Sequence, residues 1–451
     1  MKKTKKILSV IMMVAILVST ITPVWADEQQ TMNISSWAVS TLNEGEKYGI
    51  YPMTWYYENF NETITQEKLS ELIKQVDLKL DVVADKVDFE AMPVSEQLTR
   101  GNVLTQFYNL LGAYGLVTKG DAMTYMQSSG IVNGTLSGLN LDKTCNTEQA
   151  ILFGINTVKF AYEQLEAGGK GVFWKVEKGG NTVYLLGSVH VGSTDQYPLN
   201  TMLTDAFDAS DALLVEADLL NQAGGMDYFR SKAFYTDGTT IDSHISKELY
   251  DKLKKVFEKY NLDESVYGTL KPWSLSNELN VVSMSNTDQT EGATEGANLG
   301  IDLYFTVKSY LTGKPVYELE GIPYQTDLFD GLTPEFQEEY LTAIVDGILA
   351  PATGESTESA NLLDEWLAYW INGNLEEFTT SFNASSEEES NELTDMLFGK
   401  RDQDMSTKIE NILEQDGSTT YFIVVGAGHF INPTNIIKTL EADGYTVDWM
   451  Y

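Results

Sequence analysis

Thr182-Val183-Tyr184-Leu185-Leu186-Gly187-Ser188-Val189-His190-Val191-Gly192 is an apolar run that ends in a Gly-x-x-His turn. A continuous apolar run of this length, with Gly179-Gly180 before it and Gly187-Ser188 near its end, reads as a buried strand that presents a histidine at its carboxyl end. Far downstream, Tyr421-Phe422-Ile423-Val424-Val425-Gly426-Ala427-Gly428-His429 repeats the arrangement. The chain holds three histidines, and two of them close strands in the same frame. Glycine at a strand end permits a tight turn and lets an ion or substrate approach the backbone. Ligands of open α/β sheets sit beyond the carboxyl ends of the strands, so the pattern predicts that His190 and His429 converge on one site. The plain alternative for each is a core or turn histidine satisfied by a backbone carbonyl.

Working outward, Phe173 to Val176 and Thr182 to Leu186 predict a hairpin, and residues 199–209 a short helix. Ala212-Leu213-Leu214-Val215-Glu216 is a buried strand ending in a carboxylate. Burying that charge unpaired is costly, so Glu216 is expected to serve a metal or a reaction, or else to cap the following loop. Residues 246–260 predict an amphipathic helix capped by Ser246, which leaves His244 as a structural turn residue. Residues 286–299 form a polar, glycine-containing loop, and Asp302 stands near the start of the next helix. Lys314 to Gly321 reads as a strand ending in a second, exposed carboxylate, Glu320. Helical patterning runs from Pro334 to Leu413, broken around Thr353 to Ala360 and at Asn372-Gly373-Asn374. Trp366 and Trp370 are expected in the core, and Arg401 lies where the helix carrying Met405, Ile409 and Ile412 begins. A helix from about Thr434 and an edge strand at Tyr445 to Met450 close the chain. The predicted architecture is α/β, a central mixed sheet surrounded by helices over 170–451, preceded by a smaller all-α module over 27–167. Gly168-Gly169-Lys170-Gly171 marks the boundary.

Residues 1–26 have the form of a signal peptide: a basic start at Lys2, Lys3, Lys5 and Lys6, an apolar Ile7 to Val18, and a small-residue site, Val24-Trp25-Ala26, for cleavage after Ala26. The mature chain is expected to be secreted or wall-associated, without a transmembrane helix. Its formal charge moves from −36 to −40 as those four lysines leave. Such a surface disfavours nucleic acid and anionic lipid and favours cationic partners or metal ions. Cys145, the single cysteine, has no internal disulfide partner.

The module over 27–167 shows weak internal repetition. Ile64-Thr65-Gln66-Glu67 opens a helix with Leu69, Leu72, Ile73, Val76 and Leu80 on one face; Leu98-Thr99-Arg100 opens another with Val103, Leu104, Phe107, Leu110 and Leu111; Asn146-Thr147-Glu148-Gln149-Ala150 opens a third. Each threonine is read as an N-cap. Trp37-Ala38, Gly49-Ile50 and Ile64-Thr65-x-Glu67, with Gly130-Ile131-Val132-x-Gly134 and Thr147-Glu148-x-Ala150, resemble S-layer homology domains. That resemblance implies binding of cell-wall polysaccharide near Thr65, Thr99, Arg100 and Thr147. The alternative is a helical module that only packs on its neighbour.

The larger region resembles the TraB/GumN family, which includes the Tiki proteins. The residues that carry the likeness are Val183 to Gly192, Leu213-Leu214-Val215-Glu216, Lys271-Pro272-Trp273, Gly300-Ile301-Asp302, Leu319-Glu320 with Gln325, Arg401 with Met405, and Gly426-Ala427-Gly428-His429. The resemblance implies a fold similar to erythromycin-esterase-like and ChaN-like proteins. It also implies a metal-dependent protease whose two Gly-x-x-His motifs and a glutamate form the site. Gly187-Ser188-Val189-His190 replaces the family's usual Gly-Thr-x-His, and Asp402 follows Arg401 where asparagine is common, which leaves the role of that position open.

Two imidazoles with one or two carboxylates suit a divalent transition metal, manganese, cobalt or zinc, with a position left for water. His190 and His429 are therefore the expected metal ligands, with Glu216 as ligand or general base. Arg401 is expected to bind a substrate carboxylate or oxyanion, and Asp302 and Glu320 to stand behind the ligands or add to them. The expected partner is a peptide or protein substrate outside the cell. A metal-free variant uses a histidine as base with Glu216 orienting it. A further alternative is a non-catalytic exported protein that sequesters a peptide or signal. No His-Glu-x-x-His helix or Gly-x-Ser-x-Gly elbow occurs, which excludes the standard zinc peptidases and serine hydrolases at the motif level.

Overall fold

A computed structural model describes residues 34–451 apart from 118–119, 135–137, 222–223, 286–295, 297, 351–355 and 387–391. The expected signal peptide, most of the polar 286–299 loop and the start of the break near Thr353 lie outside the described residues. The chain forms two compact units. One holds Lys170–Ser193 and Asp205–Tyr451; the other joins the described residues up to Gly169 with Thr194–Thr204.

The larger unit is built on a six-stranded mixed sheet flanked by helices. Its strands are β1 (Val172–Lys178), β2 (Asn181–Ser188), β3 (Ala212–Val215), β4 (Val316–Glu318), β5 (Thr420–Gly426) and β6 (Val447–Trp449), in the order β4-β3-β5-β2-β1-β6. β1 and β2 form the antiparallel hairpin, and β6 adds antiparallel at the edge. β2, β5, β3 and β4 run parallel to one another, with Ser188 opposite Gly426 and Val215 opposite Val424. Their carboxyl ends therefore fall on one rim, which is why residues so far apart in the chain meet. The central strands are largely apolar because helices cover both faces. Phe173, Phe207, Phe305 and Phe422 pack ring to ring in that core.

Glycine at position 187 is a packing requirement. A Cβ there would lie 2.4 Å from Val172 Cγ2 and 3.0 Å from the Ala427 backbone. Trp366 and Trp370 are fully buried, and the Trp370 indole donates to the Gly187 carbonyl at 2.6 Å.

The smaller unit is all helical, with its main helices at Val39–Gly45, Gln66–Asp81, Arg100–Ala113, Ala122–Ser128 and Thr147–Gln164. Thr65 and Thr99 cap their helices as expected, each accepting a backbone N–H three residues on. Thr147 does not. Asn146 is the cap, because its side chain accepts the Gln149 N–H while the Gln149 side chain returns to the Asn146 N–H, a reciprocal pair that displaces threonine to the first helical position. Ile73 and Leu110 are half-buried, while the other apolar positions named on those two helices are buried. The three helix starts adjoin: Ile64 N–H donates to Cys145 O, Thr147 N–H to Glu62 O, Cys145 N–H to Leu98 O and Arg100 N–H to Lys143 O. Among the described residues no helix is long and apolar enough to cross a membrane.

Candidate functional site

The rim where β2, β5, β3 and β4 end carries seven ionisable side chains. His190 lies two residues beyond β2, Glu216 directly after β3, Glu320 two beyond β4 and His429 three beyond β5. Asp302 enters on the first turn of the Ile301–Thr312 helix, whose start is tied to the His190 turn by the Ile301 N–H to Val189 O bond. Arg401 and Asp402 enter on the first turn of the Lys400–Leu413 helix.

Each imidazole is gripped by its own aspartate. His190 Nδ1 lies 2.7 Å from Asp302 Oδ2, and His429 Nδ1 lies 2.6 Å from Asp402 Oδ1. The aspartates are held in turn: the Ser188 hydroxyl donates to Asp302, and the Asn432 amide donates to Asp402 at 2.7 Å. Ser188 of the first Gly-x-x-His motif thus supplies a hydroxyl donor to the aspartate behind the imidazole. A carboxylate on Nδ1 fixes the ring and aims Nε2 elsewhere. The Nε2 atoms of His190 and His429 are both buried and without a hydrogen-bond partner. His429 Nε2 lies 3.9 Å from Glu216 Oε1.

Glu216 is tied on both oxygens. Oε1 accepts the Gly426 N–H at 2.8 Å, and Oε2 accepts Arg401 at 2.8 Å and Gln325 at 3.2 Å. Arg401 also forks onto Glu320 at 2.8 and 2.7 Å and donates to the Leu397 carbonyl. Glu320, expected to be exposed, has a side chain only 3% exposed because Arg401 and Gln325 draw it inward. Arg401, expected to receive substrate, is 3% exposed with its donors turned onto protein groups, and so serves to hold the two glutamates.

Burial works to raise the Glu216 carboxyl, but Arg401, His429 and His190 outweigh it and hold it below its ordinary value. Burial likewise opposes the charged forms of Asp302 and Arg401, yet the His190 and Ser188 contacts keep Asp302 low and the two glutamates keep Arg401 high. Burial would lower His190, but Asp302 and Glu216 raise it to about 9. His190 and Asp302, with side chains 12% and 19% exposed, form the open side of the cluster, whereas His429 is fully enclosed beside the Phe398 ring.

The structure thus brings together His190, Glu216, Asp302, Glu320, Arg401 and His429. Thr65, Thr99, Arg100 and Thr147 belong to the helical unit, where the Arg100 guanidinium donates to Leu139 O and lies over the Phe153 ring. His244 sits in an exposed turn, stacked on Tyr235 and bonded to Thr239. Asp402 is the residue whose part the sequence left open. A signal was present: Asp402, Met405, Ile409 and Leu413 are buried on one helical stripe, and an acid on such a stripe requires a partner.

Among the described residues, no group of three or more histidine, cysteine, aspartate or glutamate side chains is gathered as a metal-binding cluster. The expected His190, His429 and Glu216 trio is not preassembled, because Glu216 is drawn to Arg401, Gln325 and the Gly426 N–H. Two donors are nonetheless in the form a metal takes, an imidazole Nε2 backed by a carboxylate on Nδ1. The charges also fit a cation. Four carboxylates share the rim with one guanidinium, and a metal that displaced the His190 proton would meet three excess negative charges in a largely buried place.

The profile of the TraB/PrgY/gumN family matches residues 172–448, a span that contains the whole rim. The chain belongs to the TraB/PrgY/gumN family. This TraB/PrgY/gumN domain is 24% identical to the uncharacterized protein YbaP of Escherichia coli K12 over 267 residues, which cover 58% of this chain and 89% of that one. A YbaP of Shigella flexneri is also 24% identical, over 262 residues, 57% of this chain and 87% of its own. A metalloprotease TIKI homolog of Amphimedon queenslandica is 34% identical over 70 residues, 15% of this chain and 14% of its own. No solved structure matches the TraB/PrgY/gumN chain at a significant level.

Proposed function

We propose that this protein is an exported, metal-dependent hydrolase of the peptidase type, acting on peptides or proteins outside the cell. The observation that carries the reading is the pair of buried, unpartnered Nε2 atoms, each on an imidazole held by an aspartate, at one rim of the sheet. The excess negative charge beside them and the short likeness to a metalloprotease TIKI homolog support it. His190 and His429 would hold the metal through Nε2, with Glu216 Oε1 3.9 Å from His429 Nε2. A manganese, cobalt or zinc ion in such a site lowers the pKa of bound water and polarises a scissile carbonyl. The protein's own contribution is orientation: Asp302 and Asp402 set the imidazoles, and Arg401 with Gln325 sets Glu216 and Glu320. The aspartates replace Glu216 as the groups that orient the histidines.

Export follows from the signal-like residues 1–26. Attachment to cell-wall polysaccharide is the proposed role of the helical unit, supported by the adjoining helix starts that carry Thr65, Thr99, Arg100 and Thr147. A second reading, a non-catalytic exported protein that sequesters a peptide or signal, draws on Glu216 being bonded at both oxygens, which leaves it poorly placed as a general base. Metal analysis of the purified chain with a peptide-library cleavage assay separates the two. The hydrolase reading expects bound metal and turnover that both fall in folded His190→Ala and His429→Ala. Peptide capture without a cleavage product at any metal loading rejects it and leaves the binder.

A further inference from the structure

The two Gly-x-x-His motifs are alike in sequence and unlike in their support. His429 stands in a short helix of its own, Gly428–Ile431, and the turn before it is tied to β2 by the Ala427 N–H to Ser188 O bond at 2.8 Å. His190 has no such helix, and residues 189–193 form an irregular turn. What holds that turn is the chain around Gly296 and Ile301, which belongs to the same compact unit. Ile301 N–H donates to Val189 O at 3.0 Å, one residue before the imidazole, and Gly192 N–H donates to Gly296 O at 2.8 Å, two residues after it. Asp302 adds two side-chain contacts, accepting from the Ser188 hydroxyl and gripping His190 Nδ1. The turn is thus bracketed on both sides of His190.

The fit is closest at Gly296. This residue is buried, and its carbonyl accepts the Leu299 N–H at 3.1 Å as well as that of Gly192. A Cβ at position 296 would lie 3.0 Å from Val191 Cγ1 and 3.3 Å from Gly192 O. A side chain there would therefore press on the residue next to His190 and on the residue that makes the bond. Glycine lets the two backbones come within hydrogen-bonding distance. The division of labour follows from these contacts. Asp302 sets the rotation of the imidazole through Nδ1, whereas the ties at Val189 and Gly192 set the backbone from which the ring, and so its Nε2, is hung. The plain alternative is a glycine that serves only the packing of the unit.

We infer that Gly296 is a positioning residue for His190, holding the turn that carries the imidazole through its contact with Val191 and Gly192. The inference rests on the reading of His190 as a metal ligand only in its binding arm; the conformational arm stands without it. The test compares the full chain carrying Gly296→Val with wild type, by backbone amide exchange followed by mass spectrometry over residues 188–193 and 420–431 and by titration with manganese alone. Exchange over 188–193 is expected to speed up several-fold while 420–431 stays unchanged, and manganese is expected to bind several-fold more weakly, because a ligand less firmly held binds metal less tightly. Gly296→Ala acts in the same direction, and Val191→Ala in the same chain, which removes the Cγ1 that the new methyl meets, restores protection and affinity. Unchanged exchange over 188–193 overturns the inference, as does exchange that speeds up equally over 420–431, the mark of a general packing role. Faster exchange with unchanged manganese affinity also overturns it where His190→Ala weakens binding. If wild type binds no manganese, or His190→Ala binds it equally well, the reading of His190 as a ligand falls and the exchange result decides this inference alone. Should Gly296→Val fail to fold, Gly296→Ala with and without Val191→Ala decides by the same measurements.

Discussion

Replacing Arg401 with methionine removes the donors that bridge Glu216 and Glu320 and leaves two carboxylates facing each other, each no more than 3% exposed. Breaking one side of a buried charge network typically costs about 3–5 kcal/mol, so Arg401→Met is expected to lower unfolding stability by that order in denaturant titrations. An unchanged midpoint would mean that Arg401 holds neither glutamate. The pH dependence carries a second prediction. His190 is held at about 9 against an ordinary 6.5, so its contribution is full below 6.5 and is lost as pH rises through about 9. Glu216 and Asp302 are held low, so theirs is present above their ordinary values of 4.5 and 3.8 and is lost on further acidification. Metal-free protein is therefore expected to be most stable between 4.5 and 6.5 and to weaken on both sides, as followed by thermal melts across pH. Binding of a metal at Nε2 displaces the imidazole proton, so added manganese, cobalt or zinc should flatten the alkaline limb. A limb indifferent to metal would argue that His190 Nε2 is not a ligand.

At the scale of elements, the site depends on the ends of β2 and β5 meeting closely, and Gly187 is where they do. Gly187→Ala puts a methyl against the stiff, β-branched Val172 side chain and the Ala427 backbone. Overpacking of this kind costs about 1–3 kcal/mol, and a melting temperature equal to wild type would show that the strand ends have slack. The strands and most flanking helices were legible because apolar runs, Gly-Gly turns and Ser or Thr caps are local signals. His190 and His429 were legible for the same reason, each closing a strand in one frame. Asp402 and the inward turn of Glu320 were not, since both follow from partners more than twenty residues away in sequence: His429 for the first and Arg401 for the second. The misread cap at Thr147 shows the limit in miniature, where two neighbouring residues can each cap and the reciprocal bond to Gln149 chooses Asn146.

Across the whole molecule, a formal charge of −36 sets the background against which the local pairs act. Self-repulsion of this size opposes the compact state and is screened by salt, so the melting temperature is expected to rise from low to physiological ionic strength. A fall would mean that screened ion pairs outweigh the repulsion. The two units are each coherent, yet the chain passes from one to the other immediately after the His190 turn and returns before Asp205. A linear reading places a single boundary at Gly168-Gly169, and composition contains nothing that reveals the second crossing.

The sequence by itself determined the α/β class and the strands that lead into His190, Glu216, Glu320 and His429, because period and turn residues are written along the chain. Only the tertiary structure decided the strand order that brings these ends together, that Arg401 is spent on Glu216 and Glu320, that Asp302 and Asp402 grip the imidazoles, and that Thr194–Thr204 belongs to the helical unit. The reason is physical: pairing of parallel strands and burial of charge are set by strand order and by partners distant in sequence, and no local pattern encodes either.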